Sequence, residues 1–251
     1  MTNQDRRIRA IEQIKSNIAR FGHHVYLISG SKVPRFAYTI GLSNRLGFEL
    51  LLCGATYFSA KQATGILNGI AQHLSEDSNE NAPTIQLNEL GSFTLRRVDS
   101  SWAKNMLLGA FDYFDNKAVQ ARQVVPDADH WTLDIPDASS VWSPKVEPVW
   151  ESLDDRWNRP FDPAAMAVTN LAAIRGERIT EAARWAPDQW ELFAGAGPDV
   201  QQNDIRVVPL STMFALDSTL LPVVQLNIGS ALWRKAGDKD WQPWGDTKRD
   251  P

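Results

Sequence analysis

Phe36-Ala-Tyr-Thr-Ile-Gly-Leu42, followed closely by Leu50-Leu-Leu-Cys-Gly54, carries the reading of the fold. As a strand the first run places Phe36, Tyr38 and Ile40 on one face and Ala37 and Thr39 on the other. The second run is uniformly apolar instead of alternating, as expected of a strand covered on both faces. Upstream, Pro34 breaks the chain, His23 to Ile28 reads as a strand, and Gly22 is a helix stop. Before it, Ile8, Ile11, Ile14 and Ile18 recur at helical spacing, so an opening helix has one apolar stripe. Downstream, Ser59 is an N-cap and Ala63, Ile66, Leu67, Ile70 and Leu74 form one side of a helix that fades into the polar run Ser75 to Asn81. Thr84 to Leu87 and Phe93 to Val98 are extended, Trp102 to Phe114 has a helical pattern, and Ala118 to Val125 is a last strand.

From about Pro126 to Pro163 the composition changes. Six prolines deny long helices or central strands, while Trp131, Trp142, Trp150 and Trp157 bring on the order of 150 to 250 Å² of ring surface each, too much for a free linker. The segment is expected to be an irregular strap over the first domain, with the boundary near Asp162. The fold class is therefore α+β: two mixed domains, 1–161 and 162–251, with largely antiparallel sheets.

A chain of 251 residues, 43% of them hydrophobic, can bury two ordinary cores. A net charge of -4 gives no overall electrostatic case for nucleic acid. The single cysteine, Cys53, lies in an apolar run, which reads as a buried thiol in a reducing compartment. The polar N-terminus has no signal-peptide pattern and no apolar run reaches membrane-spanning length, so the expected location is the cytoplasm.

Catalytic chemistry finds little material. His23 and His24 are adjacent, so on a strand they point to opposite faces, and with only His73 and His130 besides there is no basis for a zinc site. Asp127, Asp129 and His130 form either a proton-transfer cluster or ordinary loop chemistry. Glu147 and Glu151 are separated by Pro148, and no Gly-rich phosphate loop occurs. Tyr38, Thr39 and Glu49 are candidates for a ligand pocket, with flavin as its sharpest version. The alternative is a core tyrosine with one hydroxyl partner and a Glu49 that caps a turn. No cofactor is expected. In the second domain Asp188, Asp199, Asp204 and Asp217 punctuate an apolar segment that also holds Trp185, Trp190, Phe193 and Trp233. Acids beside aromatic anchors suit a protein inhibitor of a cationic target. The plainer alternative makes Trp190 and Phe193 core residues, Asp217 a helix cap, and Arg234 a structural ion-pair partner.

Two resemblances extend this reading. Phe36-Ala-Tyr-Thr-Ile-Gly-Leu42, Phe48-Glu-Leu50, Ile66-Leu-Asn68 and Gln123-Val-Val-Pro-Asp127 resemble an uncharacterised bacterial family of unknown function over residues 15–135, departing where Gly47-Phe48 replaces a His-Pro pair. Trp190 to Gly195, Leu216 to Leu221 and Gly229-Ser-Ala-Leu-Trp-Arg234 resemble an immunity-protein domain of bacterial polymorphic toxin systems, departing where Gly195-Ala-Gly-Pro-Asp199 replaces Gly-Asp-Glu. The second resemblance implies a cytoplasmic, non-catalytic antidote that binds a cognate toxin protein, with Trp190, Asp199, Asp204, Asp217 and Arg234 as its contact residues. The competing reading is a small-molecule sensor or enzyme with its pocket at Tyr38, Thr39 and Glu49. A third is an adaptor.

Overall fold

The computed structural model describes residues 3–30, 32–76, 84–154 and 157–244. These divide into two compact units, the first drawn from Met1–Ile28, Phe36–Trp131 and Ile135–Ser143, the second from Ser29–Arg35, Thr132–Asp134 and Pro144–Pro251. The architecture is α+β with two mixed sheets, as the sequence implies.

In the first unit, β1 (His24–Ile28), β2 (Phe36–Ile40), β3 (Glu49–Cys53), β4 (Ile85–Leu87), β5 (Gly91–Arg97) and β6 (Ala121–Pro126) form one sheet in the order β1-β2-β3-β6-β5-β4. Only β3 and β6 run parallel. Helix α3 (Ala60–Glu76) lays Ala63, Ile66, Leu67, Ile70 and Leu74 over Ala37, Leu50 and Leu52. It begins with a reciprocal capping box, in which the Gln62 N–H donates to Ser59 Oγ and the Ser59 N–H to Gln62 Oε1. From β3, Cys53 meets Met106 Sδ at 3.9 Å in α4 (Ser100–Met106), so the apolar run from Leu50 is buried for the reason its pattern gives. Helix α1 (Asn3–Phe21) buries its stripe only toward its end: Ile14 is interior, and Ile18 lies where a side chain on Gly41 would stand 2.8 Å away. Ile8, at the start of the stripe, is 50% exposed.

The helix expected over Trp102 to Phe114 is two helices, α4 and α5 (Leu108–Tyr113), broken at Leu107. The Gly109 N–H, in the first turn of α5 where no helical acceptor exists, donates to the Tyr38 hydroxyl at 3.0 Å. A single tyrosine thus takes the place of a continued helical ladder.

The Pro/Trp-rich segment is not one strap over the first unit. Residues 135–143 belong there: Gln123 clamps them, its Nε2 donating to the Pro136 carbonyl and its Oε1 accepting from the Ala138 N–H, and Trp102 Nε1 reaches the Ser140 carbonyl. From Pro144 the chain belongs to the second unit, so Asp162 lies inside that unit rather than at its border. There Trp150 is wholly buried, with Nε1 on the Asp134 carbonyl, and Trp157 Nε1 bonds the Phe161 carbonyl. Each tryptophan with an anchored N–H needs both a core and an acceptor, and each takes them within its own unit.

The second sheet contains β7 (Met166–Asn170), β8 (Glu181–Ala186), β9 (Gln189–Phe193), β10 (Ile205–Pro209), β11 (Ser230–Trp233) and β12 (Gln242–Pro243), ordered β10-β7-β9-β8-β11-β12. Strands β7 and β9 are parallel and the other pairs antiparallel. One face carries Val208, Ala167, Trp190, Leu192 and Ala182, buried with Leu210, Met213 and Phe214 of α7 (Leu210–Leu216) and with Leu220 and Val223 from the 3-10 turns that follow. Asn170 ties the parallel pair together, its Nδ2 donating to the Ala194 carbonyl while its Oδ1 caps the short helix α6 (Leu171–Ile174) at Ala173.

Candidate functional site

The opposite face of the second sheet follows from its register. Val207, Val168, Glu191, Ala183 and Ala231 stand opposite one another across five strands, and Phe193, Glu181 and Trp233 form the neighbouring row. Residues paired in this way share a face. This face stays partly open: Val207 is 59% exposed, and Trp185, at a bulge where the pairing of β8 with β9 shifts, is 53% exposed. A bulge re-aims the side chain it carries. Trp244, beyond β12, is 51% exposed.

Two connected grooves run over this face, sharing Glu181 and Trp244. The larger, about 760 Å³, has Trp233, Glu177, Arg178 and Lys235 along it. The smaller, about 360 Å³, has Trp185, Phe193, Glu181 and Glu191 in its wall and, among the described residues, neither lysine nor arginine. Glu181 is held in place by the Gly197 N–H at 2.7 Å. Aromatic faces beside two carboxylates attract a cationic side chain by the ring quadrupole and by Coulomb attraction together. Asp199 ends the turn Gly197–Asp199 that walls the smaller groove, and Asp204 leads into β10; both are exposed.

Of the other three expected contact residues, Trp190 and Asp217 line neither groove, and Arg234 lines the larger one with its guanidinium committed inward. Trp190 is 1% exposed and belongs to the core, with Arg184 stacked on its ring. Arg234, 2% exposed, donates from Nε to the Ile179 carbonyl and from Nη2 to Asp217 Oδ2 at 2.9 Å, and it stacks on Trp241. Asp217 also accepts from the Thr219 N–H as a cap. The reason is geometric: Trp190 sits in the row that faces α7, and Arg234 follows the last residue of β11, where its guanidinium turns inward to satisfy the Ile179 carbonyl in the segment ahead of β8. Of the residues that do line the face, Trp185 and Glu191 have a partial signal in the alternation of Glu181, Ala183 and Trp185 along β8, the strand that pairs with β9. Trp244 has none.

In the first unit the structure joins two of the expected pocket residues, Thr39 and Glu49, and sets Tyr38 apart. Tyr38 is buried, stacked on Tyr26 and Phe36, and its hydroxyl is taken by Gly109; burial pushes its pKa up to about 12. Glu49, with no exposure, accepts from Thr39 Oγ1, from the Gly41, Leu42 and Ser43 N–H groups, and from Ser43 Oγ, at 2.7 to 3.2 Å. The carboxylate fills with backbone donors the space a ligand would need. Asp127 accepts from the Ser92 N–H and meets His130 Nδ1 at 2.5 Å, while the imidazole stacks on Phe58. Burial opposes its charge, but these partners hold the Asp127 carboxyl below the usual aspartate value. This is a loop staple, packed where a side chain on Gly91 would come within 2.6 Å of the ring. His23 and His24, expected to diverge, line one cleft, because the chain bends at Gly22 (φ 80°) and the strand begins only at His24. Among the described residues no group of three or more His, Cys, Asp or Glu side chains could hold a metal ion, and no helix is long and apolar enough to cross a membrane.

Fold and site together define a two-unit α+β protein with an open, aromatic and acidic sheet face. Residues 17–131 match a family described as a domain of unknown function, DUF4262, which covers the first unit's sheet from β1 to β6. No curated protein and no solved structure matches the chain.

Proposed function

We propose that this chain is a non-catalytic binding protein, a cytoplasmic immunity protein that neutralises a bacterial toxin by direct contact, and that the open face of the second sheet is where the toxin docks. The observation that carries the reading is the row Val207, Val168, Glu191, Ala183 and Ala231: an acid at the centre of an apolar strip, walled by exposed tryptophans. Asp199 and Asp204 flank it. Exposed acids speed encounter with a basic protein, and a few aromatic anchors supply most of the affinity of an interface of about 1,600 Å² in total.

The test is affinity capture from the source bacterium with the full chain and with a variant carrying Asp199→Lys, Asp204→Lys and Glu191→Lys. One stoichiometric basic protein is expected with the parent and not with the variant, and that protein, expressed alone, should arrest growth that co-expression of the parent restores. Equal capture by both chains, or a captured partner without toxicity, refutes the reading.

A further inference from the structure

A second cleft, of about 600 Å³, lies in the first unit between the end of α1, the start of β1, α3 and the short helix α2 (Ser43–Leu46). Its wall contains Arg45, His23, His24, Asn17, Asn68 and Gln72, and among the described residues no aspartate or glutamate. Gln72 is bonded to Glu76, one turn further along α3. The two imidazoles are fixed by amides of opposite polarity. An amide NH₂ only donates, so Asn17 Nδ2, 2.8 Å from His24 Nδ1, leaves that nitrogen as acceptor and puts the ring proton on Nε2. An amide oxygen only accepts, so Asn68 Oδ1, 2.8 Å from His23 Nε2, draws a proton there. Burial and the neighbouring His23 lower the pKa of His24.

Arg45 reaches this cleft from α2, and α2 is set by Glu49. The carboxylate that gathers the Gly41, Leu42 and Ser43 N–H groups fixes the turn from which Arg45 projects. Gly41, at φ 105°, adopts a backbone that L side chains rarely take and lets Ile18 of α1 approach. The turn at residues 41–43 and Glu49 therefore set the helix that brings Arg45 to the cleft.

We infer that this cleft binds a phosphate group, carried by a small metabolite or as the free ion, between Arg45 and the His23–His24 pair. A guanidinium presents paired donors that match phosphate oxygens, His24 adds its Nε2 N–H, and among the described residues no carboxylate lines the wall to repel the anion. The volume falls in the range of small-molecule pockets and exceeds what a bare anion fills. This site is independent of toxin docking, which involves the other unit.

The experiment follows the histidine ring resonances of the full-length protein during titration with inorganic phosphate, ribose 5-phosphate and ribose. His23 and His24 should shift with phosphate, saturating with a Kd on the order of 1 mM, while His73 and His130 stay still. Ribose 5-phosphate binding more tightly than phosphate assigns a metabolite, and equal binding assigns the free ion. Arg45→Gln, on an exposed side chain, should weaken either ligand at least about tenfold, and Arg122→Gln, beside a different small pocket, should not. Absence of shifts, equal shifts with ribose, or unchanged affinity in Arg45→Gln overturns the inference.

Discussion

The Thr39 hydroxyl donates to Glu49 Oε2 at 2.7 Å and accepts the Leu50 N–H at 2.8 Å, so one side chain joins the buried carboxylate to the strand that carries it. With the Gly41, Leu42 and Ser43 amides on the same carboxylate, the stretch that marks the first unit is one hydrogen-bonded object. Each donor left unsatisfied in the interior costs about 1 to 3 kcal/mol. Glu49→Gln, which places an NH₂ among donors, should raise amide exchange at residues 41–43 by roughly a hundredfold, equivalent to about 3 kcal/mol. Exchange within about threefold of the parent would mean that the carboxylate does not hold the turn.

Tyr38 gives a prediction with a defined sign. Its folded pKa, about 12, lies above the ordinary tyrosine value near 10 because burial penalises the phenolate. The folded state therefore holds the proton more tightly, and the contribution is fully present below pH 10 and lost as pH rises through about 12. Tyr38→Phe should cost about 1 kcal/mol at neutral pH, the value of the bond to Gly109, and should remove part of the alkaline loss of stability. Urea unfolding of both proteins across that pH range tests it, and parallel curves refute it.

How much of this was legible in the sequence depends on whether the deciding contact is local. The apolar run at Leu50, the alternation of Phe36 to Ile40 and the Ser59 cap are set by neighbours in the chain, and they read correctly. The break at Leu107 depends on a tyrosine 71 positions from the glycine it contacts, and no periodicity carries that. The division of the Trp-rich segment fails for the same reason: Trp150 is anchored on Asp134, and proline density says only that the segment is irregular. The plainer reading of Asp217 as a cap and Arg234 as an ion-pair partner matches the structure, but composition cannot show that the guanidinium turns inward to the Ile179 carbonyl.

That pair supplies a third prediction. Arg234→Met leaves Asp217, itself half-buried, without its cation and the Ile179 carbonyl without its donor. Removing one partner of such a pair costs about 3 kcal/mol, whereas replacing both by apolar groups is closer to neutral. A double-mutant cycle with Asp217→Asn should therefore show strong coupling in the stability of the second unit. Additive effects would place both side chains in solvent.

The open sheet face must separate binding from stability if it is an interface. Trp185 and Trp244 are each more than half exposed, so Trp185→Ala and Trp244→Ala should change unfolding free energy by no more than about 0.5 kcal/mol. A tryptophan that anchors an interface costs 2 kcal/mol or more when truncated, roughly thirtyfold in Kd. Glu191→Lys should act differently, slowing association and reversing its salt dependence, because a central charge steers encounter as well as contact. Calorimetry and stopped-flow on the captured partner distinguish the two. Loss of stability alongside affinity would mean that the tryptophans cover the sheet as structure, and the interface would have to be sought elsewhere.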